Sequence, residues 1–233
     1  MLPSSPSSAD QAPFDRSAYR IDLEAAVAAA FQDSPLEKEQ LERLLSFGVL
    51  LAERARCFNL TRLTAPEEMA LLHFLDTFFL AQALSARTRS VLDIGTGAGI
   101  PGIPLAILRP EIQVTLIDGT GKKIAFVKEA IESLGLTNAA AFQLRAEEHL
   151  RRTRYGTAVL RASVKPVRMM EIMAECREPL QALVFMLGGD GKTVAKALRT
   201  PRYRLLSVEP YQLPGQHKER HIATFIRKMQ KRR

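Results

Sequence analysis

A loop with three glycines follows a short apolar strand pattern near the middle of the chain. Residues 90–102 read SVLDIGTGAGIPG, and the apolar residues around Asp93 are typical of a buried strand. Gly95, Gly97 and Gly99 leave a loop almost without side chains, which allows a ligand to approach the backbone closely. Two prolines beyond the loop suit the first turn of a helix. A strand, a glycine loop and a helix in this order predict a nucleotide-type site at the edge of a parallel sheet.

The first interpretation of this loop is a dinucleotide site. Gly97, Gly99 and Gly102 spell the G-x-G-x-x-G fingerprint of dinucleotide-binding folds. Two residues, however, separate the strand from the first of these glycines, whereas a dinucleotide fold begins its fingerprint at the strand end. Asp93 would also repel a pyrophosphate and attract an ammonium group. A tight turn with an acidic cap is a third, purely structural interpretation.

The second interpretation, which we favour, is a site for S-adenosylmethionine. This cofactor carries a sulfonium, an amino acid end and a ribose, and it has no phosphate. D-x-G-x-G-x-G, from Asp93 to Gly99, resembles the first motif of Rossmann-like methyltransferases. Asp118 ends the next predicted strand, 23 positions after Gly95, close to the spacing of about 20 expected in a βαβ unit. We therefore expect Asp118 to bind the ribose hydroxyls.

Composition limits the class of protein further. With 233 residues and 46% hydrophobic content, the chain is long enough for one sizeable core. A net charge of +8 and a pI of about 9.8 favour a polyanionic partner, although they are also compatible with solubility alone. Cys57 and Cys176 have no metal-ligand spacing, which predicts a reduced, cytoplasmic protein without a metal site. No apolar run is long enough to span a membrane, and we expect a monomer.

Helix and strand patterns divide the chain into four segments. We predict a disordered tail over 1–18, an N-terminal helical extension over 19–86, a methyltransferase domain over 87–228 and a basic tail over 229–233. Within the extension, Ser34 and Thr64 each precede a proline by one or two residues and are predicted to begin helices.

From residue 90 onward, strand and helix patterns alternate, which is typical of a mostly parallel sheet covered on both faces. The predicted helices and strands are as follows: strands 90–94, 113–117, 139–144, 157–161, 181–187, 203–209 and 220–227, and helices 102–108, 121–135, 165–177 and 190–198. The last two strands have no helix between them and predict an antiparallel hairpin at the sheet edge. The fold class is therefore α/β, a Rossmann-like class I methyltransferase with a seven-stranded sheet.

Several motifs together resemble the RsmG (GidB) family over about residues 40–228. These motifs are FNLT at 58–61, HFLD at 73–76, DIGTGAGIPGIP at 93–104, Lys122-Lys123 with Phe126, RAEE at 145–148, Arg161-Ala162 and ERHI at 219–222. The resemblance implies transfer of a methyl group from S-adenosylmethionine to N7 of a guanine in the 530 loop of 16S ribosomal RNA. The implied partner is 16S rRNA or the 30S subunit.

The resemblance also implies roles for individual residues. The cofactor set is Asp93, Gly95, Gly97, Gly99, Ile100, Asp118, Ala146, Glu147 and Arg161. Arg161 is the catalytic candidate, expected to bind guanine O6 or a cofactor carboxylate; the alternative is an arginine paired with Glu147 or Glu148. Independently of the resemblance, the bunching of basic residues near the ligand end of the predicted sheet gives the RNA-binding set: Arg145, Arg151, Arg152, Lys165 and Lys192. Because guanine N7 has a free in-plane lone pair, the reaction needs proximity rather than a base.

Some positions depart from the family pattern or allow two interpretations. Gly119 follows Asp118 where the family usually has Ser, and Leu187-Gly188 stands where it usually has Lys-Gly. A methyltransferase for another RNA or a small molecule, or a binding module without turnover, therefore stays open. His73 and Asp76 share one helix face, either as a brace between helix and sheet or near the substrate. His221 is expected to be structural, in an edge strand.

Overall fold

The N-terminal part of the chain is helical. The computed structural model describes residues 13–145, 156–161, 165–175, 180–198 and 200–228. The helices are α1 (Arg16–Ala30), α2 (Lys38–Ala55) and a continuous segment made of α3 (Pro66–Glu68), a π-helix (Met69–Leu75) and α4 (Asp76–Ala83). We call α1 to α4 with the π-helix the N-terminal helices.

The starts of these helices differ from the predicted ones. The carboxylate of Asp15 accepts hydrogen bonds from two backbone N–H groups at 3.0 Å, so α1 begins at Arg16, inside the predicted tail. Helix α2 is capped by Glu37 and not by Ser34, because Gln40 accepts from the Glu37 N–H at 3.1 Å. The same Gln40 donates to the Leu108 carbonyl at 3.2 Å, so this tertiary contact supports the later start.

The rest of the chain forms the predicted seven-stranded sheet. Its strands are β1 (Ser90–Ile94), β2 (Gln113–Asp118), β3 (Ala139–Gln143), β4 (Thr157–Arg161), β5 (Ala182–Leu187), β6 (Tyr203–Tyr211) and β7 (Arg220–Arg227). The spatial order is β3-β2-β1-β4-β5-β7-β6. The first five strands in this order run parallel, and β7 is antiparallel to both neighbours. The α/β fold class is confirmed. The edge strands are β3 and β6, and His221 belongs to β7, so the prediction that His221 lies in an edge strand is wrong.

Helices cover both faces of the sheet. They are α5 (Gly102–Leu108), α6 (Gly121–Ser133), α7 (Pro166–Glu175) and α8 (Gly191–Ala197). One buried cluster joins the N-terminal helices, α5 and α6 to alternate residues of the sheet such as Val91. The second cluster, on the other face, contains Leu92 and the buried side of α7. The N-terminal helices therefore belong to one continuous core with the sheet.

This arrangement brings the carboxyl ends of β1, β2 and β4 side by side. Register pairs Asp93 with Leu116 on one side and with Val159 on the other. In open parallel sheets, ligands bind beyond the carboxyl ends of the strands. Within the described ranges, no helix is both long and apolar enough to cross a membrane.

Candidate active site

A cavity of about 730 Å³ opens at the carboxyl ends of β1, β2 and β4. Its wall consists of Leu60, Thr61, Leu63, His73, Ile94, Gly95, Thr96, Gly97, Ala98, Ile100, Ile117, Asp118, Gly119, Lys123, Leu144, Arg145, Arg161 and Ile172. We call the part around Gly97 and Asp118 the glycine-loop end, and the part around Arg161 and His73 the arginine end. The N-terminal helices contribute to the wall through His73 and through the connection between α2 and α3.

The glycine loop has a backbone conformation that other residues adopt only with strain. Gly97 has φ +59° and Gly99 has φ +83°, both in the left-handed region. A Cβ on Gly99 would lie 2.9 Å from the Ile103 side chain, so Gly99 permits close packing of the loop on α5. Gly97 lines the cavity and Gly99 does not. These two glycines therefore serve the site differently, one at its wall and one beneath it.

Asp93 supports the loop from below and does not reach the cavity wall. The residue is 1% exposed, and its Oδ2 accepts from the Thr96 hydroxyl at 2.5 Å and from the Gly102 N–H at 2.9 Å. Burial raises the pKa of this carboxyl to about 7, against the hydrogen bonds from Thr96 and Gly102 that lower it. Asp93 thus binds the first N–H of α5, the group that a pyrophosphate would need in a dinucleotide fold.

Asp118 stands at the cavity wall, as predicted for a ribose-binding acid. Its Oδ2 accepts from the Gly97 N–H at 3.1 Å, and its Oδ1 accepts from the Thr120 N–H at 2.8 Å. The side chain is 12% exposed, and the Lys123 ammonium lies 4.0 Å away. The carboxylate therefore connects the ends of β1 and β2 and keeps acceptor capacity for a ligand hydroxyl.

Arg161 ends β4 and points to the N-terminal helices. Its Nε lies 3.3 Å from Asp76 Oδ2, its Nη2 donates to the Leu72 carbonyl, and its Nη1 lies 3.4 Å from His73 Nδ1. The side chain is 17% exposed and forms part of the cavity wall. Of the alternatives left by the sequence, Glu147 and Glu148 lie outside the described residues. The acid that Arg161 does meet is Asp76.

His73 is neutral at physiological pH. Burial, and secondly the charge of Arg161, lower the pKa of its imidazole to about 4. Nη1 of Arg161 lies 3.4 Å from Nδ1 of this ring, and a guanidinium can act only as a donor in such a contact. The residue therefore presents an uncharged ring at the arginine end.

Asp76 contacts side chains from three strands, with hydrogen bonds from two of them and an ion pair with the third. The carboxylate is fully buried, and it meets Tyr211 Oη at 2.6 Å and Arg220 Nη1 at 2.9 and 3.0 Å in addition to Arg161. Tyr211 belongs to β6, Arg220 to β7 and Arg161 to β4. The predicted brace between helix and sheet is thus present, and Asp76 is its centre.

The other predicted site residues fall into three groups. Gly95, Ile100 and Arg145 line the cavity together with Gly97, Asp118 and Arg161. Lys165 and Lys192 are exposed outside it. Ala146, Glu147, Arg151 and Arg152 lie outside the described residues.

Sequence reasoning missed the connection between α2 and α3 as part of the site. Leu60, Thr61 and Leu63 contribute to the wall, although the FNLT motif had marked this segment. Lys123 and Ile172 were missed as well. They belong to α6 and α7, and the sequence does not show which side chains of these helices face the cavity. No group of three or more His, Cys, Asp or Glu suitable for a metal occurs among the described side chains.

The site fits S-adenosylmethionine and not a dinucleotide. The N–H of Gly102 is already bound by the buried Asp93, so a pyrophosphate would meet an acid instead of a donor. The glycine loop leaves space without side chains, and the Asp118 carboxylate faces that space with an accessible edge. This sheet order and this donor set define a class I S-adenosylmethionine-dependent methyltransferase.

Comparison with known sequences identifies the family. The chain belongs to the family described as rRNA small subunit methyltransferase G, whose model matches residues 40–223. A relative from Xanthomonas campestris, named Ribosomal RNA small subunit methyltransferase G, is 34% identical and covers 86% of this chain and 93% of its own length. A relative of the same name from Desulforamulus reducens is 36% identical over 80% of this chain and 82% of its own.

Solved structures agree with the fold. The yhhF protein of Escherichia coli superimposes with a TM-score of 0.52 at 16% identity, over 66% of this chain and 87% of its own. TrmK of M. capricolum, solved with S-adenosyl-homocysteine, superimposes with a TM-score of 0.51 at 11% identity, over 64% of this chain and 66% of its own. At these identities the likeness concerns the architecture of the sheet and its helices.

Proposed function

We propose that this enzyme transfers the methyl group of S-adenosylmethionine to N7 of a guanine in the 530 loop of 16S ribosomal RNA. The observation that carries the proposal is one cavity with an acid and a glycine loop at one end and a partly buried arginine at the other. Family membership supports the rRNA of the small subunit as substrate. The choice of N7 and of the 530 loop follows from the resemblance in the motifs.

Cofactor binding is assigned to the glycine-loop end. Asp118 would accept from the ribose hydroxyls, and the backbone of Gly95 and Gly97 would lie against the ligand. Asp93 acts from beneath, because it fixes the loop on α5 through Thr96 and Gly102. When bound, S-adenosylmethionine supplies an electrophilic methyl group on its sulfonium. The roles predicted for Ala146 and Glu147 beside the adenine remain part of this proposal.

The arginine end is assigned to the methyl acceptor. Guanine N7 carries a lone pair in the ring plane and needs no base, so the residues have to orient the base and exclude water. Arg161 keeps one N–H on each Nη beyond its contacts with Leu72 and His73. A donor of this kind can bind guanine O6 while N7 stays free to react. The neutral His73 adds no second charge beside it.

RNA contacts are assigned to basic residues around the cavity. Arg145 and Lys123 lie in the wall, and Lys165 and Lys192 are exposed outside it. The RNA-binding roles predicted for Arg151 and Arg152, which lie outside the described residues, stay part of the proposal. Such residues contact phosphates and position the duplex or loop without reading its sequence. Since 16S rRNA is the proposed substrate, we place the enzyme in the cytoplasm. Its predicted monomeric state stays a prediction.

Methyl transfer to naked 16S rRNA and to 30S subunits tests the function directly. With radiolabelled S-adenosylmethionine, we expect label at one guanine of the 530 loop, mapped by the strand cleavage that 7-methylguanine permits. Label at another RNA position would correct the target. Binding of the cofactor without transfer to either substrate would favour a module without turnover on this RNA.

A further inference from the structure

The Asp76 carboxylate holds Arg161 where the cavity begins. Oδ2 of Asp76 lies 3.3 Å from Nε of Arg161, and the Leu72 carbonyl and His73 take up one donor on each Nη. All three partners belong to the π-helix and the first residue of α4. The guanidinium is therefore fixed at three points by one short helical segment.

The other oxygen of Asp76 is occupied from the opposite side. Tyr211 donates to Oδ1 at 2.6 Å, and Arg220 Nη1 lies within 3.0 Å of both oxygens. These contacts leave the carboxylate no freedom to turn away from Arg161. The Tyr211 ring also packs on Phe79 of α4, with centroids 4.8 Å apart, which fixes the hairpin against the same helix.

Stability alone is a weak reason for such a cluster. A buried ion pair loses most of its Coulombic gain to desolvation, and apolar side chains of similar volume often stabilise a core equally well. Here the buried acid meets two arginines, of which one lines the cavity. What the ionic contact provides beyond packing is a defined orientation of a planar, multidentate cation.

A second ion pair between the N-terminal helices and the sheet helices provides a contrast. Arg54 of α2 meets Glu129 of α6 at 2.6 Å, and both side chains are more than a third exposed, at 38% and 37%. Neither residue lines the cavity. This pair also connects the N-terminal helices to the rest of the fold, but it does not contact the site. A variant of this pair is therefore a control for the loss of such a connection without any change at Arg161.

We propose that Asp76 is a positioning residue that orients the Arg161 guanidinium, so that its remaining N–H groups face the methyl acceptor. The assignment of the acceptor to this end rests on the proposed function. The orientation itself is a property of the free protein and can be measured without substrate.

The first measurement follows the Nε–H of Arg161 by ¹⁵N NMR on the full chain. We expect a slowly exchanging side-chain resonance, assigned by its loss in Arg161→Lys. In Asp76→Asn this proton should exchange at least about tenfold faster, since the guanidinium loses the ion pair with the Asp76 carboxylate that restrains it at 3.3 Å. In the matched control Glu129→Gln it should be unchanged. Protection retained in Asp76→Asn would overturn the proposal.

The second measurement separates binding from transfer. In Asp76→Asn, transfer under saturating cofactor should fall by about 10- to 100-fold, the scale expected for a misplaced positioning group. The calorimetric Kd of S-adenosylmethionine should stay within about twofold, as should both quantities in Glu129→Gln. Transfer within about twofold of the unmodified enzyme would contradict the positioning role.

Loss of the acid leaves two arginines uncompensated and can unfold the protein. The double variant Asp76→Asn/Arg220→Gln removes one charge of each sign, so the net charge of the cluster is that of the original. It should fold and show the same fast Nε–H exchange. If the unmodified enzyme transfers no methyl group, the proposed function fails, and the NMR exchange still decides the role of Asp76.

Discussion

At the glycine-loop end of the cavity, the wall is backbone held by acids that are close in sequence. At the arginine end it is the side chain of Arg161, which contacts one acid, Asp76, from a distant part of the chain. Asp93 binds Gly102, and Asp118 binds Gly97, so the first end is built within β1, the loop and β2. Asp76 meets Tyr211 and Arg220, which lie 135 and 144 positions away in the chain. Local spacing determines one end, and the packing of helices on the sheet determines the other.

This difference supports the separate tasks that we propose for the two ends. A backbone loop with left-handed glycines has one shape, which suits a ligand of fixed shape. A guanidinium held beside a buried acid offers directed donors, and we propose that they serve a base of the RNA substrate. We therefore expect changes at the two ends to separate cofactor affinity from methyl transfer.

The largest effect is expected for Arg161→Ala. Methyl transfer under saturating cofactor should fall by about 100-fold, as on loss of a preorganised donor. The calorimetric Kd of S-adenosylmethionine should change by less than about threefold. Arg204→Ala, which removes an exposed arginine of β6, serves as control. A large loss of cofactor affinity would instead assign Arg161 to the cofactor carboxylate. The two ends of the cavity would then not have separate roles in cofactor binding and methyl transfer.

Asp118→Ala tests the opposite end. The Gly97 and Thr120 N–H groups lose a charged acceptor and the ligand loses its partner, so the Kd of S-adenosylmethionine should rise about 30-fold, the scale of about 2 kcal/mol for hydrogen bonds to charged groups. Isothermal calorimetry measures this directly. Asp33→Ala, which removes an exposed acid that does not line the cavity, serves as control. Unchanged affinity in Asp118→Ala would show that this carboxylate does not bind the ribose.

Gly97→Ala tests whether the shape of the loop matters for the cofactor. A left-handed conformation costs an alanine about 1–2 kcal/mol, so we expect cofactor affinity to fall about tenfold. Gly135→Ala is a matched control, because Gly135 has φ +60° and open space around its Cα, outside the cavity. Both variants should lose stability in thermal unfolding. Equal cofactor affinities in the two variants would show that the loop is not part of the cofactor site.

The smallest effect concerns His73 and the pH dependence of stability. In the unfolded chain this imidazole binds a proton below a pKa near 6.5, and in the folded protein only below about 4. Acidification through this window therefore favours the unfolded state, by about 1 kcal/mol between pH 7 and pH 5.5. His73→Gln should lose that part of the pH dependence in urea unfolding.

Two comparisons complete the pH experiment. His217→Gln removes an exposed histidine and should keep the slope of the unmodified protein. Asp93 acts in the opposite direction, because burial raises the pKa of its carboxyl to about 7 and the folded state then holds its proton more tightly than the unfolded one. A slope unchanged by His73→Gln would mean that this ring is not buried as a neutral group.

The sequence predicted the sheet more reliably than the helix starts. Strand patterns and the glycine loop are local, and the observed strand ends lie close to the predicted ones. The predicted N-cap of α2 is Ser34, whereas the observed N-cap is Glu37. The later start is supported by Gln40, which donates to the Leu108 carbonyl. The π-helix at Met69–Leu75 has no local signal that we recognised, and it occurs where Leu72 and His73 meet Arg161.

By itself, the sequence determined the class of fold and the local structure of the glycine-loop end of the cavity. Strand periodicity, left-handed glycines and an acid one βα unit later are all encoded within a few tens of neighbouring residues. Only the tertiary structure decided that Asp76 contacts Arg161 and that the α2–α3 connection lines the cavity. These contacts join residues far apart in the chain, and buried charges choose their partners by the geometry of the packed core rather than by spacing along the sequence.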